Sequence, residues 1–447
     1  MDFNLLELIA RAGGGGSSSS SGGSGGDFIG LIGYAAGHYP AAFVKKRFKH
    51  TIPAIAAGGV GTVAATGLFV AGRLYFTAVI IFIAGCIGAY GGATGLLGKF
   101  AKRSKEAQAR LQKAAASDPM WNEDTIKKTA SDTFVRFQYD WANFNGQGMA
   151  QYLAPRYLAH VQLMLYALAQ MGRRNVLWPY KITAMELIDV SDKDNNTEDR
   201  MTVAIAASGT DKLVDTTTNT DLATDNSDFA EVWQFVRHER TWLLESITPS
   251  TTSDIGRNST LEQFAAANSM YYSPDWGRLL LPRRGRIFST VAMSVADVND
   301  HVIGYWQGNL LVQMYSYSPG QGKPYYMVGQ LTLPKTYTGI MILRKDDFGS
   351  KLGNIFNSAP SGYQKMSYEW VDFNRNYVVY AAEPDRVASF ELLNPGFMAY
   401  LYDQKLKIDI EVVDNVVYLY SSNSARTMAE YGGMLEVLKR AYKELKL

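Results

Sequence analysis

The chain has 447 residues, 47% of them hydrophobic, too much apolar material for one ordinary core, which predicts two or three folded units. Its 44 Lys and Arg nearly cancel its 42 Asp and Glu, so a net charge of +2 supplies no field for nucleic acid or an acidic substrate. The lone cysteine, Cys86, excludes an intrachain disulfide and a cysteine-based metal cluster, and its apolar surroundings are those of an inert thiol.

Residues 1–12 (MDFNLLELIARA) carry Asp2 and Glu7 and lack the basic start of a secretory signal, so they read as a short amphipathic helix. The run 13–26 (GGGGSSSSSGGSGG) has nothing apolar to offset the entropy of ordering and reads as a flexible linker. A basic juxtamembrane segment, 27–50, ends in Lys45, Lys46, Arg47 and Lys49. Over 51–98 the only charged side chain is Arg73, which divides the stretch into 52–72 and 74–98. Each piece has about the 20 residues that a helix needs to cross a hydrocarbon core of about 30 Å.

The second piece, with YFTAVIIFIAGCIGAY, is the more apolar; the first is rich in Ala and Gly and needs its neighbour to insert. Gly88 and Gly92, then Gly91 and Gly95, sit four apart and let two helices approach closely. The pair therefore reads as a transmembrane hairpin, with a single span beside a buried first helix as the alternative. Basic residues on both flanks keep both ends inside, which predicts a multi-pass protein of the cytoplasmic membrane with its soluble domains facing the cytoplasm. Arg73 at the turn can snorkel to the far interface. Residues 99–117 follow as a basic linker helix. Its Lys99, Lys102, Arg103 and Lys105 either touch anionic lipid or form a solvated face.

From 118 onward aromatic residues and helical periodicity come together. Phe134, Phe137, Tyr139, Trp141 and Phe144 precede Leu158, Val161, Leu165 and Leu168, predicting two or three helices. Beyond Trp178, KITAMELIDV, MTVAIAASG, FAEVWQFVRHE and TWLLESI are short, β-rich and separated by polar loops, as in a curved antiparallel sheet. Three features, the aromatic first helix, Leu153 with Pro155 and Tyr157, and the pair Trp233, Phe235, Arg237 and Trp242, Leu243, Leu244, carry a resemblance over 118–250. The segment resembles the Tim-forty-four-like domain family of mitochondrial import tethers and bacterial relatives. That resemblance implies an α+β, cystatin-like cone, also used by nuclear transport factor two, which sits at a membrane face and binds protein partners or lipid. Trp233, Phe235, Trp242 and Tyr157 are then candidate binding residues, with Arg237 as the polar handle, although each aromatic taken singly reads as core. The acidic insertion 192–199 departs from the family pattern and is no calcium loop, because Thr197 stands where the sharp turn needs glycine.

A connector, 251–289, with some helix over 260–267, leads to a second, mainly β, α+β domain over 290–423. There the run Lys335 to Gly339, then Glu369, Phe373, Asn374, Tyr377 to Tyr380, Leu392, Asn394, Pro395, Phe397 and Met398 resemble a bacterial domain family of unknown function, which brings no activity. Residues 424–447 read as a C-terminal amphipathic helix opened by Ser424 and interrupted at Gly432 and Gly433.

His38, His50, His160, His238 and His301 lack the spacing with which a helix chelates metal, and no nucleophile elbow, phosphate loop or dinucleotide fingerprint occurs. Asp140 and His160 are conceivable acid and base partners on the helical layer. The sequence thus predicts no enzyme, no metal and no cofactor. It predicts a membrane-anchored tether or adaptor whose partners are membrane lipid and an unidentified membrane or cytoplasmic protein. A pocket enzyme acting on a hydrophobic substrate from the bilayer, and a structural subunit of a membrane complex, are the rivals.

Overall fold

The structure, a computed structural model, describes residues 34–44, 51–71, 82, 83, 86, 96–249, 258–274, 279–282, 285–289, 297–319, 325–345, 361–403, 407–422 and 427–447. The segments 1–12 and 13–26 and most of 27–50 lie outside it, as does nearly all of the second expected span, 74–98. The first expected span is a helix, α2 (Thr51–Ala71), which meets α1 (34–44) at Gly61, where a Cβ would come within 2.1 Å of the Ala36 carbonyl. Among the described residues no helix is long and apolar enough to cross a membrane. Nearly all of 74–98 lies outside the described residues, so the expected hairpin is not part of what is described.

The first folded unit sets helices on a five-stranded antiparallel sheet. Helix α3 (Ala101–Ala115) leads into α4 (Glu123–Ala142), whose first turn is capped by the Asn122 side chain accepting from the Thr125 N–H at 3.0 Å. After a short helical turn, α5 (Pro155–Gln170) starts with proline in its first turn, where a missing N–H costs nothing. Strands β1 (Arg173–Ser191), β2 (Arg200–Asp215), β4 (Phe229–His238) and β5 (Thr241–Pro249) lie in that order, with β3 (Thr220–Asp225) also beside β2. Phe134, Phe137 and Trp141, spaced i, i+3, i+7 on α4, meet Trp233 and Phe235, spaced i, i+2 on β4, and both sets are buried. On β4 the alternation continues, since Arg237 is buried and His238 exposed.

Helix α3 differs from the expected free linker. Ala107, Leu111 and Ala114 form a buried stripe along it, and Arg110 pairs with Asp189 of β1 at 2.6 Å. Just before it, Leu97 and Phe100 cover the outer face of the sheet at Ile188, Ala204, Ala206 and Ala230. Alanines carry so little apolar surface that the buried stripe of α3 is masked in the sequence by its lysines and arginines.

The second unit is a seven-stranded sheet flanked by helices. Helix α6 (Ser259–Ala267), capped by Asn258, precedes β6 (Tyr271–Ser273), which pairs with β7 (Asp297–Trp306). The part of the expected connector that forms α6 and β6 therefore belongs to this unit, and Phe264 of α6 packs 6.1 Å from Tyr431. Strands β8 (Leu310–Ser318), β9 (Tyr326–Arg344), β10 (Tyr363–Met366), β11 (Tyr377–Ala382) and β12 (Ile408–Ser421) complete the sheet. Strand β9 is its spine, pairing with β8 through one half and β11 through the other, while β12 pairs with both halves. Helices α7 (Val371–Asn376), α8 (Arg386–Leu392), α9 (Pro395–Asp403) and α10 (Met428–Glu444) surround it. The last helix opens not at Ser424, which lies outside the described residues, but at a capping box of Thr427 with Glu430, and it runs unbroken through Gly432 and Gly433.

The two units share a boundary. Leu279, Leu280, Ile303 and Leu311 join the first unit's core, and the Arg173 guanidinium donates to the carbonyls of Leu279 (3.3 Å) and Leu281 (2.5 Å). There His160 of α5 stacks on Tyr271 at 5.1 Å, while His301 of β7 lies 3.0 Å from Gln313. Burial lowers both imidazoles, His160 to about 3 and His301 to about 4. The unfolded chain takes up these protons near pH 6.5 and the folded chain does not, so stability falls as pH drops below 6.5. The loss is about 1.4 kcal/mol per pH unit for each histidine until its folded value is reached. Replacing His160 by Phe, which keeps the stacking ring, is expected to halve the decline of thermal stability between pH 6.5 and 4.5; an unchanged decline would contradict this origin.

Candidate functional site

The residues expected to shape a binding interior are packed against one another. Trp233 lies between Phe134 (5.3 Å) and Phe137 (5.6 Å), and its indole N–H donates to Glu231 at 3.0 Å. Trp242 tilts against Trp121 at 4.9 Å, and the Trp121 indole N–H donates to Asp192 at 3.1 Å. Phe235 and Tyr157 are buried with them, and burial pushes the Tyr157 phenol up. The space between helices and sheet is thus occupied by the protein's own rings.

Arg237, expected as a polar handle, is held on all sides. Its Nη1 donates to Asp118 at 2.5 Å and Asp199 at 3.1 Å, and its Nε to the Glu239 carbonyl at 3.1 Å. Asp199 also accepts from the Lys193 N–H at 2.7 Å. The Met120 N–H, and with it Arg237, hold the Asp118 carboxyl below the usual carboxylate range. These bonds tie β4 to the turn between α3 and α4 and to the acidic 192–199 connection. Asp140 and His160 do not form an acid–base pair. Asp140 accepts from Tyr152 (3.0 Å) and Asn145 (2.7 Å) with Arg136 at 3.6 Å, whereas His160 lies in the boundary between units. Lys99, Lys102, Arg103 and Lys105 are all exposed, and Lys99 and Arg103 lie 5.1 and 5.9 Å from the Phe100 ring. Among the described residues no three His, Cys, Asp or Glu side chains are grouped to hold a metal.

An open groove lies elsewhere, between the outer face of α4 and the start of β1, with a volume of about 690 Å³. Its apolar wall is made by Val135, Tyr139 and Ala142 on one side and Val176, Trp178 and Tyr180 on the other. Trp178 is 67% exposed and Tyr139 68%, an unusual state for such rings. The backbone explains the tryptophan. The β1–β2 register jumps between Leu177 and Tyr180, so Trp178 and Pro179 bulge out of the ladder, where a residue without an N–H is tolerated. Opposite the bulge stands Gly209, at which a Cβ would come within 2.9 Å of the Pro179 carbonyl. Trp178 rests edge-on against Tyr180 (5.8 Å), and Tyr180 against Phe134 (5.6 Å), linking the groove to the core. Burial raises the Tyr180 phenol.

The groove's charges are unequally matched. Asp132 pairs with Lys128, and Arg136 donates to Gln151 at 2.5 Å and lies against Asp140. Half-buried Arg174 has an Nε that is buried and without a hydrogen-bond partner among the described residues. Such a donor costs about 1–3 kcal/mol until an acceptor meets it. The sequence reading missed this site because it treated Trp178 only as the border between helix and strand. The Trp-Pro pair inside a β-rich run was the available signal.

No family model matches the chain, and no curated protein matches it. Among solved structures it is similar to the mycobacterial trehalose monomycolate transport factor A, TtfA, at 14% identity and a TM-score of 0.32, over 43% of this chain and 96% of that one. It is also similar to the intermembrane space region of the chloroplast protein ARC6, at 15% identity and a TM-score of 0.23, over 28% of this chain and 96% of that one. Likenesses of this size carry no argument about what this chain does.

The two sets of residues separate by substitution. Arg237→Ala leaves Asp199 buried without its cation and is expected to cost about 3–5 kcal/mol, whereas Trp178→Ala, at an exposed position, is expected to change stability by less than about 1 kcal/mol. Thermal melts of both variants check this, and equal losses would contradict the assignment.

Proposed function

We propose that the chain is a membrane-anchored, non-catalytic adaptor that captures a protein segment or lipid at the membrane surface through the groove beside Trp178. The observation that carries this reading is the pair of exposed aromatic rings in an open apolar groove, next to an interior already full of side chains. Exposed contiguous apolar surface marks interaction sites, and Trp and Tyr are the residues that most often dominate them.

Anchoring rests on the sequence: the uncharged stretch on either side of Arg73, its basic flanks, and the resemblance of 118–250 to membrane-face tethers with a cystatin-like cone. A hairpin with both ends in the cytoplasm would put the soluble units on that side. The docking of Leu97, Phe100 and α3 onto the first unit favours a tether in this role. A segment leaving a membrane at about residue 98 would meet the folded unit at once, holding the groove at a fixed distance from lipid. Exposed Lys99, Lys102, Arg103 and Lys105 would then add attraction to anionic headgroups, about 1 kcal/mol each near the surface. Confinement at the membrane raises the effective concentration of the groove for a ligand held there.

Crosslinking in native membranes followed by mass spectrometry is expected to recover a groove-bound partner with the wild-type protein. Recovery should fall at least about tenfold with Trp178→Ala and Tyr139→Ala together, since two aromatic anchors are each worth on the order of 1–2 kcal/mol. Undiminished recovery would contradict the proposal.

A further inference from the structure

The boundary between the two units holds a second cavity, of about 280 Å³, whose lining is largely polar. Its floor is a patch of the second sheet. Gln313 of β8, Gln330 of β9 and Tyr418 of β12 form one transverse row, since Gln313 pairs with Gln330 and Gln330 with Tyr418. Thr332, two residues on along β9, pairs with Val416 in the next row of the same face. From the first unit, Ala167 of α5, Met171 just after it and Arg173 of β1 line the other side.

Both glutamines are buried, at 1% and 5% exposure, and one end of each amide is engaged in the wall: Gln313 lies 3.0 Å from His301 Nε2, and Gln330 accepts from the Tyr315 hydroxyl at 3.4 Å. The other end of each amide has no hydrogen-bond partner among the described residues, and unlike the Arg174 Nε neither is closed off behind other atoms. The hydroxyl of half-buried Thr332 likewise has none among them. Two amides and a hydroxyl both donate and accept, so a matching ligand carries groups that do the same. Charge points the same way: Arg173 and Asp414 line the cavity with one charge of each sign, which leaves no net field for an ion. At about 30 Å³ for each water-sized group, the space suits a molecule of on the order of ten non-hydrogen atoms.

We propose that this cavity binds a small uncharged polyol, a sugar or cyclitol of five or six carbons, whose hydroxyls meet Gln313, Gln330 and Thr332 while its C–H face lies against Tyr418 and Val416. The site is separate from the groove beside Trp178 and does not depend on it. Because its two sides come from different units, a bound ligand holds them together and stabilises the folded chain by mass action.

The test is saturation-transfer NMR on the full-length protein in lipid nanodiscs free of glycosidic detergent, with D-xylose and myo-inositol as probes and thermal melts run alongside. The expected result is transfer to at least one probe and a higher melting midpoint in its presence. Gln330→Leu, which keeps the bulk of the side chain, should weaken binding about tenfold, and Thr332→Val about fivefold. Should Gln330→Leu fail to fold, Thr332→Val decides alone. No transfer to either probe, the cavity holding ordered water only, would overturn the proposal. Transfer that the variants leave unchanged would place the probe elsewhere and overturn it as well. Displacement of the probe by inorganic phosphate would overturn the uncharged class of ligand.

Discussion

Trp233 occupies the place where a fold of helices on a sheet could otherwise hold a guest. Its ring meets Phe134 and Phe137, its indole N–H is satisfied by Glu231, and Phe235 and Trp242 fill the flanks. Close packing of this kind leaves no room for a ligand without displacing large rings, each of which contributes a few kcal/mol to stability. The proposed binding is therefore placed on the outside, where the same aromatic contacts continue: Phe134 supports Tyr180, and Tyr180 supports Trp178 at the groove. A rigid core thereby holds an exposed ring in one position, so little entropy is lost when something docks on it.

Around that core two further contacts fix how the parts sit. Arg237 joins β4, the α3–α4 turn and the acidic connection through two carboxylates, so the segment arriving from residue 98 cannot swing independently of the sheet. At the boundary between the units, neutral histidines and a buried arginine join the second unit to the first. Charges in such a boundary must be compensated or absent, and both solutions occur here: Arg173 is met by carbonyls, while the imidazoles stay neutral. The second sheet thus reads as a brace on the first unit as much as a module of its own.

Much of this was legible in the sequence where periodicity spoke clearly. Phe134, Phe137 and Trp141 announced a helix and Trp233, Phe235 and Arg237 a strand, because a spacing of 3.6 or 2 survives any surroundings. The mixed α+β class with antiparallel sheets followed from the same patterns. Boundaries were harder. Helix α3 reads as a solvated linker because its buried face is a single leucine between two alanines, and α6 with β6 reads as a connector because short elements gain their stability from pairing that only the tertiary structure reveals. Ser424 and Thr427 are both cap residues by type, and only Thr427 has a Glu three residues on, Glu430, to complete the capping box. The groove was hidden for a deeper reason: exposure of Trp178 depends on the register of β1 against Gly209, and register is a relation between strands.

The decisive measurement is the fluorine NMR spectrum of the full-length protein labelled with 5-fluorotryptophan, with Trp233 assigned by Trp233→Phe, recorded while a single-chain amphiphile and then a soluble paramagnetic probe are added. The account predicts a Trp233 resonance that neither shifts with amphiphile nor broadens with the probe, since no space adjoins it. A Trp233 signal that moves on amphiphile binding would show a guest inside the fold and contradict an adaptor that works from its outer groove.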